Sequence, residues 1–164
     1  MLDMPHIEAA DYRNAMARYA GHVQIVTTQL GEVRRGVTIT AACSVSDSPA
    51  TVLCCLNHSN DKNQIFLDSG VFVLNTLSAQ HLALAKAFAG FSHQPVEDRF
   101  AMAEWDVLVT GAPVLKDAIA SYDCRLIDIK VMSTHSVLFG EVVGLRTGST
   151  DQALVYLDRA FHIL

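Results

Sequence analysis

Short runs of apolar and β-branched residues, separated by polar turns, recur along most of the chain. Such runs predict β-strands, and they cover residues 23–28, 36–42, 51–56, 71–77, 120–131, 137–145 and 153–157. The polar segment LGEVRRG separates the first two runs and indicates a β-hairpin, with Arg34 and Arg35 exposed in its turn. Six or seven strands with hairpins at both ends favour a closed or nearly closed antiparallel barrel.

Helices are predicted around and between these strands. Residues 8–20 have the apolar spacing of a helix face. Ser59 and Gly70 are placed to begin and end a short second helix, and Ser78 to cap a third that runs to about residue 89. Residues 90–107 have a mixed pattern that predicts partly helical structure. The predicted fold class is therefore mainly β with flanking helices.

The longest predicted strand, residues 120–131, changes the phase of its alternation partway. Its inward-facing residues occupy even positions up to Leu126, and apolar residues occupy odd positions from Ile127 onward. A β-bulge adds one residue to one strand of a pair and produces such a shift. We therefore expect a bulge close to these two residues.

Composition narrows the class of protein. The 164 residues are 51% hydrophobic and 18% charged, whereas a typical soluble domain carries about 25% charged residues. This composition excludes intrinsic disorder, and the length without any linker predicts one domain, residues 1–164. A net charge of −5 argues against nucleic acid or an anionic membrane as a partner. A second subunit or a flat cofactor is expected to cover part of the apolar surface.

The sequence also bears on where the protein is located and on whether it binds a metal. The window 36–60 has one charge, Asp47, but its Pro49 and its Ser and Thr residues exclude a membrane-spanning helix. The beginning of the chain lacks the basic and apolar regions of a signal peptide. The four cysteines have no zinc-site or disulfide spacing. We expect reduced thiols, a cytoplasmic protein, and neither metal nor membrane partner.

The segment from Gly36 to Ser46 is the strongest candidate for ligand binding. Its small side chains allow close approach to the backbone, and hydroxyls beside backbone N–H groups can hold a phosphate without a basic cluster. These hydroxyls belong to Thr38, Thr40, Ser44 and Ser46. The alternative is a buried strand whose small residues face a neighbouring sheet. Without a GxGxxG or Walker motif, a Rossmann site is not supported.

Several short motifs follow one another in a specific order. They are Ile25-Val26-Thr27-Thr28, Gly36-x-Thr38-x-x-Ala41-x-x-Ser44-Val45-Ser46-x-x-Pro49, Leu53-x-Cys55-Leu56-Asn57, Phe72-Val73-x-Asn75-x-Leu77, Phe88-Ala89-Gly90, Arg99-Phe100, Gly111-x-Pro113-x-Leu115 and His135. In this order and spacing the chain resembles the short-chain flavin reductases of two-component monooxygenases. Within that family it looks most like the NADH-dependent FMN reductases of pyrimidine utilisation. The resemblance implies the antiparallel FMN-binding split β-barrel fold.

The resemblance also implies a homodimer that binds FMN or FAD near the subunit interface. The implied cofactor-binding residues are Thr38, Ile39, Thr40 and Ala41 beside the flavin ring, Ser44, Val45 and Ser46 towards the ribityl and phosphate end, Asn57, Ser59 and Lys62 at the phosphate, and Asn75 and Phe91. Two of these residues have alternative interpretations. Lys62 fits an exposed residue in the first turn of a helix equally well. Asn75 is alternatively a residue whose side chain caps a turn.

Three further residues are implied in contact with nicotinamide: His135, Tyr156 and Arg159. Family members often carry Gly-Asp before the histidine, where this chain has Ser133-Thr134. The alternative is a turn histidine bonded to backbone. Arg159 is expected to pair with a phosphate or with an acidic residue across the dimer.

The implied activity is hydride transfer from NADH to FMN or FAD. The two cofactors carry this chemistry themselves, and reduced flavin then diffuses to a separate monooxygenase. Two alternatives remain open: a flavin-binding electron carrier of the same fold that does not use NADH directly, and a non-enzymatic flavin-binding dimer.

Overall fold

The computed structural model describes residues 5–148 and 152–164. Within them lie four α-helices: α1 Ala9–Met16, α2 Gln64–Ser69, α3 Leu82–Phe88 and α4 Val96–Phe100. The strands are β1 Gly21–His22, β2 Gln24–Leu30, β3 Val33–Ile39, β4 Ala42–Asp47, β5 Ala50–Asn57, β6 Val71–Thr76, β7 Trp105–Asp106, β8 Val114–Leu115, β9 Ala120–Val131, β10 His135–Thr147, β11 Leu154–Leu157 and β12 Ala160–Ile163. None of the described helices combines the length and apolar character that crossing a bilayer requires.

The main sheet has seven antiparallel strands in the order β3-β2-β6-β9-β10-β5-β4. Its two edge strands, β3 and β4, follow one another in the chain with only Thr40 and Ala41 between them. In a flat sheet of seven strands, the two edge strands would be about 29 Å apart. A two-residue connection spans only about 10 Å. The sheet must therefore curve strongly enough to bring these edges together.

The curved sheet encloses the larger of two apolar cores. Phe66 of α2 and Phe72 of β6 are completely buried there with Leu138 of β10. Gly140 leaves room for the Phe72 ring, because a side chain at this position would overlap it. Helix α2 thus closes one side of the main core.

A second core attaches α3 and α4 to the outside of β3. The rings of Phe88 and Phe100 meet edge to face with centroids 5.0 Å apart, and Trp105 lies 4.9 Å from Phe100. Gly36 of β3 has no side chain where the Phe88 ring lies. The beginning of the predicted ligand-binding segment is therefore packed against α3.

Several sequence-based predictions are confirmed. Leu126 pairs with Gly140 and Asp128 with Phe139, so Ile127 is the extra residue of a β-bulge. Gly70 ends α2 with φ 69°, in the left-handed region where glycine is favoured. The mainly β fold with flanking helices is also observed.

Other predictions need correction. The single strand predicted for residues 36–42 is the end of one strand, a two-residue connection, and the start of another, β4. The first helix ends at Met16 rather than at residue 20. The turn before α2 is capped by Asn60, whose side chain accepts a bond from the Lys62 N–H at 3.2 Å, and not by Ser59.

Candidate functional site

Three open cavities contain most of the residues singled out in the sequence. We call them the aromatic cavity, about 180 Å³, the hydroxyl cleft, about 400 Å³, and the carboxamide cavity, about 410 Å³. They follow the chain from the end of β3, along β4, to the end of β5. The hydroxyl cleft lies at the beginning of β5, where Thr51 pairs with Ser46, and the carboxamide cavity lies at the end of that strand, at Asn57.

The aromatic cavity lies at the end of β3. It is lined by Val23, Thr38, Ile39, Thr40, Ala89, Phe91, Tyr156 and Phe161. The Thr38 hydroxyl donates to the Ala85 carbonyl of α3 at 2.7 Å, which fixes β3 against the helix. The Tyr156 and Phe161 rings pack edge to face 5.1 Å apart. The fold thus brings residues predicted to contact a flat ring together with Tyr156, which is distant from them in sequence.

The hydroxyl cleft lies along the edge strand β4. Its lining includes Ser44, Ser46, Thr51, Thr76 and Tyr122. Ser44 pairs with Val52 and Ser46 with Thr51, so Val45 is an unpaired bulge residue and is 47% exposed. Within residues 5–148 and 152–164, the hydroxyls of Ser44 and Ser46 have no hydrogen-bond partner. They are available to a ligand.

The carboxamide cavity is named for Asn57, Asn60, Asn63 and Gln64 in its wall. Amide bonds shape the loop 57–63: Asn57 Oδ1 accepts from Ser59 N–H at 2.8 Å, and Asn63 Nδ2 donates to the Asn57 carbonyl at 2.9 Å. The Lys62 side chain is exposed and makes no ion pair within the described part of the chain. It is the cation of this loop.

Arg35 lies behind this loop and is a residue whose importance the sequence interpretation missed. It is only 9% exposed, not exposed in a turn, because β3 begins at Val33 and directs Arg35 inward. Its Nε and Nη2 donate to Asn63 Oδ1 at 3.1 and 2.9 Å. Burial, and then the charge of Arg99, lower the pKa of the Arg35 guanidinium from its ordinary value. The turn composition contained no signal for this burial.

His135 begins β10 and pairs in register with Asn57. Its Nδ1 lies 2.8 Å from the Thr134 hydroxyl. The same hairpin is held to the loop by His58, whose Nε2 lies 3.1 Å from the Ser133 carbonyl. His135 is therefore beside the carboxamide cavity, whereas Tyr156 lines the aromatic cavity.

The structure gives Asn75 a role inside the fold. It is completely buried, and its Nδ2 donates to the Ile25 carbonyl at 3.0 Å and the Thr27 hydroxyl at 3.2 Å. Its Oδ1 accepts from Leu115 N–H at 2.9 Å and the Ser121 hydroxyl at 3.0 Å. With four bonds made, its amide has no position left for a ligand.

Arg159 lies in the turn between β11 and β12, with φ 60°. Its Nη2 donates to Asn14 Oδ1 of α1 at 2.7 Å. Within the described chain, the Arg159 side chain is therefore tied to α1 by a neutral amide.

The buried cysteines are not suited to nucleophilic chemistry. Burial raises the pKa of Cys54 far above its ordinary value. Burial, with the charge of Asp123, raises the pKa of Cys124 to about 12. Both thiols therefore stay protonated at neutral pH. Neither buried thiol therefore supplies a nucleophile to the site.

A strongly curved antiparallel sheet with open cavities defines the class of this molecule as a small, mainly β protein. The comparisons with known proteins specify this class. The chain belongs to the flavin reductase family, because the family model described as a flavin reductase like domain matches residues 16–164.

Individual relatives agree with this assignment. The chain is 45% identical over 154 residues to "FMN reductase (NADH) RutF" of Agrobacterium fabrum, covering 94% of this chain and 87% of the relative. The structure of flavin reductase PheA2 is 28% identical with TM-score 0.87, covering 96% and 99% of the two chains. BorF, the flavin reductase component of a bacterial two-component tryptophan halogenase, is 25% identical with TM-score 0.87, covering 96% and 98%. The family resemblance inferred from the sequence is confirmed.

Proposed function

We propose that this protein is an NADH-dependent flavin reductase that transfers hydride from NADH to FMN. The observation that carries the proposal is the 45% identity, over 94% of the chain, to a relative named as an FMN reductase that uses NADH. FMN is preferred to FAD on the same ground. When bound, the flavin supplies the hydride acceptor, and the chain has to bind, orient and shield it from water.

The residues around the cavities fit a flavin mononucleotide. The aromatic cavity offers an apolar wall of Ile39, Phe91 and Tyr156 for a flat ring. Unpartnered hydroxyls of Ser44 and Ser46 suit a polyhydroxyl chain. The fit is therefore one of chemistry: an apolar wall in the first cavity, hydroxyls in the second, and amides with a nearby cation at the third.

The loop 57–63 is the proposed phosphate end. Asn57, Ser59 and Lys62 remain proposed ligand contacts there, with Lys62 as the exposed cation. At the flavin ring, we propose contacts from the backbone groups of Thr38, Thr40 and Ala41. We propose that the bulge residue Val45 covers part of the flavin with its apolar side chain. Asn75 is not among the proposed flavin contacts, because its amide already makes four hydrogen bonds within the fold.

For NADH, we propose His135 and Tyr156 as the residues next to the nicotinamide. Both are accessible from solvent, and Tyr156 shares the aromatic cavity with the proposed ring-binding residues. Arg159 is proposed only as a support for this region through Asn14.

A homodimer and the split-barrel form of the fold are part of the proposal. The meeting of the two sheet edges at Thr40 and Ala41 supports barrel geometry. Exposed apolar side chains support a covering subunit: Phe91 is 65% exposed, Val131 64% and Leu145 62%.

We further propose that the reduced flavin leaves for a separate flavin-dependent monooxygenase in the cytoplasm. The neighbour BorF is named as the reductase component of such a two-component system, there a halogenase. Open cavities are consistent with a flavin that exchanges. Four unpaired cysteines fit a reducing compartment.

The test is steady-state oxidation of NADH and of NADPH by the purified protein, with FMN, FAD, riboflavin or no flavin added. We expect oxidation that depends on added flavin and is fastest with NADH and FMN. Absence of flavin-dependent NADH oxidation would overturn the proposal. A flavin that stays bound through turnover would favour the electron-carrier alternative.

A further inference from the structure

Arg35 is a buried cation with no anionic partner among the described residues. Its guanidinium is bonded to the neutral side chain of Asn63, and none of the carboxylates that the structure describes lies within ion-pair distance of it. A guanidinium remains protonated in proteins. Because buried charges are usually paired, this one requires an explanation.

The unpaired charge is coupled to the carboxamide cavity through one side chain. Asn63 lines that cavity, accepts both bonds from Arg35, and donates to the carbonyl of Asn57. Arg35 itself does not line the cavity. It is therefore placed to act on a ligand there without touching it.

The charge of Arg35 acts on a ligand in the carboxamide cavity although Arg35 does not line that cavity. The cavity wall carries four neutral amides, and its titratable residues, His58 and Asp61, are exposed to water, as is the neighbouring Lys62. Exposed charges are strongly screened, whereas a buried charge is screened much less. The field of Arg35 thus favours an anionic group in the cavity.

We propose that Arg35 is a specificity-determining residue, which favours flavins carrying a phosphate over riboflavin by placing an uncompensated positive charge behind Asn63. The inference rests on the proposed function, and it adds a residue that does not contact the ligand. For an effective dielectric constant of about 20–40, one unit charge acting across one intervening side chain changes a phosphate Kd by about 4- to 30-fold.

The test measures Kd for FMN and for riboflavin by quenching of flavin fluorescence. The main variant is Arg35→Gln, which removes the charge and keeps a donor for Asn63, and Arg35→Met is a second neutral variant. Arg35→Lys keeps the charge without the two-pronged contact. Asn63→Ala keeps the Arg35 charge and removes the side chain that lies between Arg35 and the cavity. Arg125→Gln is the matched control, since Arg125 is an exposed arginine paired with Glu141.

We expect Arg35→Gln and Arg35→Met to raise the Kd for FMN by about 4- to 30-fold and to change the Kd for riboflavin by less than about twofold. Arg35→Lys and Arg125→Gln should keep the wild-type preference for FMN. Asn63→Ala should weaken both flavins alike. If the neutral variants instead weaken both flavins equally, or neither, or if Arg35→Lys loses the preference as fully, the proposal is wrong.

The outcome for the wild-type protein separates this inference from the proposed function. FMN-dependent NADH oxidation with equal affinity for FMN and riboflavin would overturn the role of Arg35 alone. Absence of both flavin binding and flavin-dependent oxidation would overturn the two together. Should the neutral variants not fold, Arg35→Lys and Asn63→Ala still test the charge: both keep it, so both should keep the preference for FMN, and loss of the preference in both would overturn the proposal.

Discussion

Replacing Asn75 by alanine separates a structural role from a ligand-binding role for a residue that the family resemblance implied at the cofactor. The substitution removes four buried hydrogen bonds at once. Leu115 N–H is left without its partner, which costs about 1–3 kcal/mol for a buried donor. The Thr27 hydroxyl still donates to the Pro113 carbonyl at 2.5 Å. Losing the bond from Asn75 therefore costs less free energy at Thr27 than at Leu115.

Adding about 1 kcal/mol each for the Ile25 carbonyl and the Ser121 hydroxyl gives about 3–5 kcal/mol in total. That is a large part of the roughly 5–15 kcal/mol by which a domain is stable. For a chain of this size, each kcal/mol lowers Tm by about 2–4 °C. We therefore expect the variant to melt about 6–20 °C below the wild type.

The assay is thermal unfolding followed by circular dichroism, with FMN affinity measured at a temperature where the variant is folded. Asn14→Ala is the matched control, because Asn14 is exposed and makes one side-chain bond, to Arg159. Its Tm should change by no more than about 2 °C. A normal Tm for Asn75→Ala together with weaker FMN binding would refute the structural role and restore the ligand contact.

Three further predictions concern the cavities and the thiols. Lys62→Ala should raise the Kd for FMN about fivefold and leave that for riboflavin unchanged, as an exposed charge contributes about 1 kcal/mol; a change in both would contradict a phosphate contact. His135→Ala should raise KM for NADH in steady-state assays with FMN affinity unchanged, and an unaltered KM would remove His135 from the nicotinamide site. In alkylation at pH 8, mapped by mass spectrometry, exposed Cys43 should react first while Cys54 and Cys124 stay unmodified. Burial raises the pKa of both buried thiols, so their labelling should increase only as pH rises, and fast labelling of either at pH 8 would contradict their burial.

Local patterns in the sequence predicted local structure well. The parity change at Leu126 and Ile127 identified a bulge, because side chains alternate between the faces of a strand and one added residue reverses the alternation. Gly70 was recognised as the end of α2 because few other residues adopt the left-handed conformation. Both features depend only on neighbouring residues.

Interpretations that depended on distant residues were less successful. Arg35 was interpreted as exposed because its sequence neighbours are polar, but its environment is set by Asn63, on another element of the fold. Asn75 was interpreted as a ligand contact, but its partners come from β2, β9 and the β8 region. A strand end in sequence does not show whether other strands already surround it.

By itself, the sequence determined the mainly β fold and the flavin reductase family, and it predicted a weakly charged binding segment around residues 36–60. Only the tertiary structure decided how the predicted binding segment divides among three cavities and that Tyr156 joins the aromatic cavity while His135 lies beside Asn57. It also decided that Arg35 is buried with no counter-charge among the residues that the structure describes. The physical reason is that periodicity and turn chemistry act over a few residues. Cavities and buried charges arise where the curved sheet brings distant strands together.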